Sequence, residues 1–409
     1  MTVTSAFLGT IVEYYDYSLY AFSANVIAAK FFPQYEKITA LTYVFAVYAV
    51  SYFAKPLGAL FFSKIGDSYG RRVALRITML GIALPTLIIG LLPEYNSIGV
   101  ISTYILLFCR FMQGFFVAGE YDGAAIYVIE HLGKKYHYTA SAVTRATGAT
   151  GLLLSIAVTN FFNSSIFPDF AWRIPFLLSM PLAMLTFYYR KYLEETPDFK
   201  ETKKKNIVLK KGMLNFITKQ WFNLLLVIFL AGGFGVTYQI SVIFMKQYLP
   251  KVIVDTSTIM TAFSTFVVFC FGFSMVIAGL LADRIGIKLV IKSCLVTTII
   301  AIVMLTTGII YQLVNLALSA WILLAVSVAP FNALGHGVIV RLFPVNERYR
   351  GSNIGHTVGS MLMSGTANVV CLSGMTFFDF YLFPMIYIGV FAILASVMVM
   401  YMIKQHIMD

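Results

Sequence analysis

The stretch Gly66-Asp67-Ser68-Tyr69-Gly70-Arg71-Arg72 lies between two long apolar runs, Leu41–Lys64 and Val73–Leu92. In a lipid environment the backbone must satisfy its own hydrogen bonds, so apolar runs of this length are predicted as helices. A Gly/Asp/Arg segment between them is then a connection outside the bilayer. A weaker copy follows 216 positions later, from Asp67 to Asp283, as Ala282-Asp283-Arg284-Ile285-Gly286-Ile287-Lys288. Gly70 and Gly286 keep that offset, as do Arg72 and Lys288. A second echo aligns Glu130…Ser141 with Arg341…Ser352, 211 positions apart. Two loops echoed at nearly one spacing predict a duplicated chain with halves of roughly 200 residues.

Composition supports this reading. The 409 residues are 59% hydrophobic and only 12% charged, about half the charged fraction of a soluble domain. The formal net charge of +12 raises the possibility of nucleic acid, but the basic residues fall where membrane topology places them. About twelve spans of roughly 20 residues are predicted: Phe7–Phe31, Leu41–Lys64, Val73–Leu92, Ile101–Ile129, Thr139–Phe162, Arg173–Tyr192, Gln220–Gln247, Ile259–Ala282, Leu289–Tyr311, Leu313–Arg341, Asn353–Met375 and Phe380–Lys404. With both termini cytoplasmic, the outer loops hold only Lys30, Lys37, Arg173, Lys246 and Lys251. About 22 of the other basic residues lie in the even-numbered loops and adjoining helix ends, a positive-inside pattern. Nucleic acid is therefore not expected as a partner.

Residues 1–194 and 220–409 are expected as two six-helix bundles, joined by a basic cytoplasmic linker over 195–219 that carries Lys200, Lys203, Lys204, Lys205, Lys210 and Lys211. Glycines in spans 5 and 11 (Gly148, Gly151, Gly355, Gly359, Gly365) predict close helix approach. Pro85, Pro181 and Pro330 predict bends or breaks. Met1–Ser5 lacks a basic leader region, so no cleaved signal is expected. The four cysteines fall inside apolar runs and read as free thiols.

Ionisable groups inside hydrocarbon are costly and mark function by default. Span 1 carries Glu13 and Asp16 at i, i+3 on one helix face. Span 2 has Lys55, span 4 has Arg110, Glu120 and Asp122, and span 5 has Arg145. In the second half the titratable candidates are His336 and His356, with Asn332 one turn before His336. An acid held in a low-dielectric cavity can switch between charged and neutral, which is what proton coupling requires. Each site has a structural alternative. Glu13 and Asp16 could form ion pairs with Lys55 or Arg145, and Arg110, Gln113 and Glu120 could be a packing network. His336 could be a satisfied core histidine, and the span-1 aromatics, Tyr17 among them, could be packing or a cation–π wall. Arg145 and Lys55 suit a carboxylate. The chain has no phosphate-binding Gly-x-x-x-x-Gly-Lys-Ser/Thr loop and no His/Cys cluster at ligand spacing, so no nucleotide, cofactor or metal is expected.

About twelve spans in two similar halves, with Gly66-Asp-Ser-Tyr-Gly-Arg-Arg72 between spans 2 and 3, resemble the major facilitator superfamily. Arg110-Phe-Met-Gln113-Gly114 and Ala118-Gly119-Glu120-Tyr121 resemble its span-4 motif. Gly9-Thr-Ile-Val-Glu13-Tyr-Tyr-Asp16-Tyr, Lys55-Pro-Leu-Gly-Ala59 and Leu342-Phe-Pro344 are similar to the metabolite:proton symporter branch, which includes carriers for proline and betaine, shikimate, α-ketoglutarate and citrate. The resemblance implies an all-α polytopic fold with pseudo-two-fold symmetry. It implies a monomeric, proton-coupled carrier in the bacterial inner membrane, taking up an organic acid or osmolyte by alternating access, and not an enzyme. Gly66, Asp67, Gly70, Arg71 and Arg72 would form a cytoplasmic gate, with Asp283, Arg284 and Lys288 as its weaker counterpart. Glu13, Asp16, Arg110 and Glu120 would couple the proton, and Tyr17, Lys55, Gln113, Arg145, Asn332 and His336 would bind solute. Lys55 stands where the branch has arginine, which removes a bidentate contact. The alternatives are a proton-coupled antiporter exporting drugs or metabolites, and a receptor on a transporter fold.

Overall fold

The computed structural model describes residues 2–164, 166–190, 193–204, 213–253 and 260–404. Part of the predicted linker, 205–212 with Lys205, Lys210 and Lys211, lies outside them. Among the described residues every regular element is helical, and eleven helices are long and apolar enough to cross a membrane. The first predicted span is built differently. It forms α1 (Thr2–Phe22) and α2 (Ala24–Phe31), separated at Ser23.

The next helices are α3 (Lys37–Ser68), α4 (Arg71–Leu91), α5 (Val100–Leu132), α6 (His137–Phe162) and α7 (Ser179–Arg190). They match the predicted spans 2 to 6, with short helical turns over Asp169–Leu177 leading into α7. Then come α8 (Met213–Tyr238), α9 (Met245–Val252), α10 (Met260–Ile285), α11 (Ile287–Ile310), α12 (Val314–Arg341), α13 (Val345–Gly359), α14 (Ala367–Phe377) and α15 (Phe383–Lys404). Wider π turns over Gln239–Phe244 and Ser360–Ser364 interrupt the predicted spans 7 and 11. The helix of span 7 kinks at Gln220, where the span was predicted to start.

Two of the three prolines predicted to bend or break spans lie inside continuous helices. α4 runs through Pro85 and α12 through Pro330, so neither breaks its helix. Pro181 falls in the first turn of α7, where its missing N–H costs nothing.

Close contacts divide the chain into two compact units. The first comprises Met1–Tyr127 and Thr147–Leu209, the second Val128–Ala146 and Lys210–Asp409. Two of the three unit boundaries thus fall inside α5 and α6. In the first unit, Tyr15, Leu19, Phe31, Val44, Leu106 and Phe176 form one buried apolar cluster. Glycines set its helix crossings. A Cβ on Gly114 of α5 would overlap the Ser51 carbonyl of α3, and one on Gly58 of α3 would overlap the Phe115 carbonyl of α5. Likewise a Cβ on Gly151 of α6 would overlap the Ile11 carbonyl of α1, and one on Gly148 would press on the Tyr14 ring.

The second unit repeats this device. Gly359 of α13 meets the Ile228 carbonyl of α8, and Gly355 meets Val227. The glycine pairs of spans 5 and 11 therefore do in both units what small residues do in membranes, letting backbones approach closely. Inside the second unit the Trp321 indole donates to the Ser241 carbonyl at 2.6 Å, and Phe234 stacks on Phe331. Outward-facing Phe53, Phe108, Phe273, Val303 and Ile386 are exposed, as lipid-facing apolar side chains are.

Candidate functional site

The echoed loops start helices in the same way. Gly70 precedes α4 with φ 106°, and Gly286 precedes α11 with φ 89°. Both occupy the left-handed region that favours glycine, so the matched spacing marks a shared turn. In the first unit, Asp67 lies 3.6 Å from the Arg71 guanidinium, which also donates to the Gly66 carbonyl. Glu195 was not anticipated. Its carboxylate accepts from the backbone N–H groups of Arg71 (3.0 Å) and Arg72 (3.3 Å), a negative charge at the positive end of α4. Gly70 also leaves room for it, since a Cβ there would overlap the Glu195 carboxylate.

In the second unit, Asp283 accepts from the N–H groups of Tyr138 (3.0 Å) and Thr139 (2.7 Å), capping the start of α6. Arg348 donates to Glu130 at 2.9 Å, joining the two sequences of the second echo. Ser141 donates to the Ala333 carbonyl, and His137 Nε2 lies 2.6 Å from the Gly337 carbonyl. Arg284 and Lys288 are exposed.

Three carboxylates gather in the first unit. Glu13 and Asp16 of α1 and Glu120 of α5 line one narrow crevice with Gly9, Val12, Met79 and Ile82, too tight to hold a water molecule. Asp16 is only 1% exposed and its Oδ1 makes no hydrogen bond. Among the described residues it forms no ion pair, so the structural alternative for Asp16 is not realised. Glu120 is different. It forms a two-pronged ion pair with Arg190, one prong at 2.8 Å, and accepts from the Thr78 hydroxyl. Both partners are fully buried. Arg190 was not singled out in the sequence. It ends α7, its guanidinium donates to the Leu75 carbonyl, and its own carbonyl accepts from Arg76. Gly9 makes space for it, because any Cβ there would overlap the guanidinium.

The cations of spans 2 and 4 meet aromatic rings. The Arg110 guanidinium sits over Tyr17 (5.0 Å), Tyr20 (4.5 Å) and Tyr48 (4.8 Å). It donates to Gln113 Oε1 at 2.6 Å and Ser51 Oγ at 3.3 Å. Gln113 is fixed in turn by the Thr86 hydroxyl at 2.7 Å. Lys55 Nζ lies over Tyr17 (4.8 Å) and Tyr52 (4.2 Å). Tyr17 and Ser51 share a hydrogen bond of 3.0 Å. Arg110, Gln113, Ser51 and Thr86 thus form one hydrogen-bonded network beside the Tyr17, Tyr20 and Tyr48 rings.

In the second unit the Arg145 guanidinium contacts the His336 ring, at 2.7 Å from Nδ1, and the His336 and His356 rings lie 5.0 Å apart, edge to face. Asn332 is half-buried, and its amide donates to the Val328 carbonyl at 3.4 Å. Asn353, one turn before His356, is fully buried with neither amide atom hydrogen-bonded.

Comparison with known proteins fits this geometry. The family profile described as Major Facilitator Superfamily matches residues 6–253. The chain is 29% identical over 367 residues to the proline/betaine transporter of Escherichia coli (strain K12), covering 85% of this chain and 72% of that one. It is 28% identical over 423 residues to the ectoine/proline transporter ProP of Corynebacterium glutamicum (97% and 82%). It is 30% identical over 363 residues to the glycine betaine/proline/ectoine/pipecolic acid transporter OusA of Dickeya dadantii (85% and 72%). Among solved structures, the proton:xylose symporter XylE bound to 6-bromo-6-deoxy-D-glucose aligns with a TM-score of 0.79 at 17% identity, over 98% of this chain and 94% of that one. The inward-open xylose transporter XylE from E. coli gives 0.66 at 15% identity, over 97% and 94%. These last two likenesses show the fold. The chain belongs to the major facilitator superfamily. It is an all-α, multi-pass membrane transporter with bacterial relatives, not an enzyme.

Proposed function

We propose that the protein is a proton-coupled importer of a small organic solute, a carboxylate or a zwitterion, working by alternating access. The observation that carries this reading is Asp16, a carboxyl buried in a dry crevice with Oδ1 unbonded. Burying an unpaired ionised carboxylate is costly, so its proton occupancy follows its surroundings. Glu13 and Asp16 carry the exchangeable proton on one helix face, and Glu120 with Arg190 forms the fixed charge pair beside them. Tyr17, Lys55, Arg110 and Gln113 are proposed as solute contacts, and so are Arg145, Asn332 and His336.

Asp67, Arg71, Arg72 and Glu195 act as one gate element and Asp283 as another, each placing a carboxylate at a helix start or beside the loop that leads into it. Arg284 and Lys288 supply cytoplasmic charge to the second. The sequence repeat supports functional halves at 1–194 and 220–409 around a linker at 195–219, although residues 128–146 group by contact with the second unit. A bacterial inner membrane, cytoplasmic termini and a monomer complete the proposal, with no nucleic-acid partner. The names of the relatives, carriers of proline, betaine and ectoine, favour import over export.

Reconstituted protein decides the matter. Adding solute outside pH-sensitive-dye-loaded vesicles should acidify the lumen in step with uptake. Alkalinisation of the lumen on uptake would indicate exchange and overturn the symport reading.

A further inference from the structure

We infer that Lys55 and Arg110, arranged around Tyr17, form the subsite for the carboxylate group of the transported solute. The inference deepens the proposed function and rests on it for the existence of a solute. Its starting point is charge balance. Among the described residues Lys55 makes no hydrogen bond and no ion pair; its ammonium touches only the faces of Tyr17 and Tyr52. Arg110 is 0% exposed, bonds only to the neutral Gln113 and Ser51, and leaves Nε without a partner. Two cations therefore approach one tyrosine ring within 5.0 Å, and among the described residues no carboxylate is in ion-pair contact with either.

A buried or half-buried cation needs a counter-charge as well as ring faces, because stacking does not satisfy its N–H donors. Among the described residues the Lys55 ammonium hydrogens and the Arg110 Nε–H find no acceptor. Carboxylate oxygens are acceptors only and fit such donors through short, charge-assisted bonds. A cationic head group alone would be repelled. A zwitterion can enter only with its carboxylate end toward Lys55. Lys55 and Tyr17 are half-buried while Arg110 is enclosed, so the lysine meets the solute first and the arginine supplies charge from behind.

The test uses full-length protein in detergent, with thermal stabilisation as the binding readout. The probes are succinate, citrate, proline, glycine betaine, choline and inorganic phosphate. At least one carboxylate probe should stabilise the wild type, and choline and phosphate should not. Lys55→Gln should weaken that carboxylate probe by about 10- to 100-fold, the usual cost of one charge-assisted bond. Lys55→Arg should restore binding, since guanidinium also serves carboxylate. Because Lys55→Gln removes no hydrogen bond in the apoprotein and only two ring contacts, its unliganded melting point should stay within a few degrees of the wild type, about what such contacts are worth.

Carboxylate binding that is unchanged in Lys55→Gln overturns the subsite while leaving proton-coupled transport intact. So does stabilisation by choline or by phosphate, or by no carboxylate probe. Normal carboxylate binding in a protein that moves no protons would instead overturn the proposed function and leave the subsite standing.

Discussion

Asp16 and Glu120 share a crevice but not an environment. Glu120 is held by Arg190 and Thr78, whereas Asp16 keeps Oδ1 unbonded at 1% exposure. Removing one member of a buried ion pair costs about 3–5 kcal/mol, while replacing both by apolar groups of similar volume is often neutral. Glu120→Gln should therefore lower the melting midpoint in detergent by several degrees, and Glu120→Leu combined with Arg190→Met should recover most of the loss. If the single and double variants melt together, the pair is not what holds this crevice. Gly9→Ala should mimic Glu120→Gln, because a methyl group there displaces the Arg190 guanidinium; a normal melting point in Gly9→Ala contradicts that. The acids of the crevice were legible in the sequence because a charge inside an apolar run stands out. Which acid was paired was not legible. Arg190 lies 70 positions from Glu120 and closes an apolar run, where it reads as an ordinary basic helix end.

At the scale of elements, the legible features were those fixed by local rules. Gly70 and Gly286 each sit at a left-handed turn before a helix, so their matched spacing carried structural meaning. The glycines of spans 5 and 11 sit at crossings because close approach needs a missing Cβ. Features set by tertiary partners were hidden. Pro85 and Pro330 stay inside unbroken helices, and nothing in span 1 announced the break at Ser23. The capping role of Glu195 was equally hidden, since it binds N–H groups more than 120 positions away in the chain. These caps are testable directly. Loss of a side-chain cap costs about 0.5–2 kcal/mol, so Asp283→Ala should speed hydrogen exchange at Tyr138 and Thr139. Glu195→Ala should do the same at Arg71 and Arg72. Unchanged exchange at those amides would show that the carboxylates do not hold the helix starts.

For the whole molecule, composition and periodic apolar runs were enough to read a polytopic helical protein, because lipid permits so few backbone solutions. The duplicated motifs and the span-4 sequence were enough to reach the superfamily, which the family profile and the relatives establish. Reading further requires chemistry at a few positions. In the proposed mechanism Asp16 and Glu13 supply the acid, Arg190 and Glu120 the fixed pair, and Lys55 and Arg110 the unbalanced positive charge. Proton-coupled accumulation and passive exchange separate these roles, because exchange needs a working solute path but no net proton movement. The most direct test of the account is to measure both in proteoliposomes carrying Asp16→Asn. The account predicts normal counterflow of labelled solute with no pH-driven accumulation. Accumulation against a gradient at the wild-type level in that variant would contradict it.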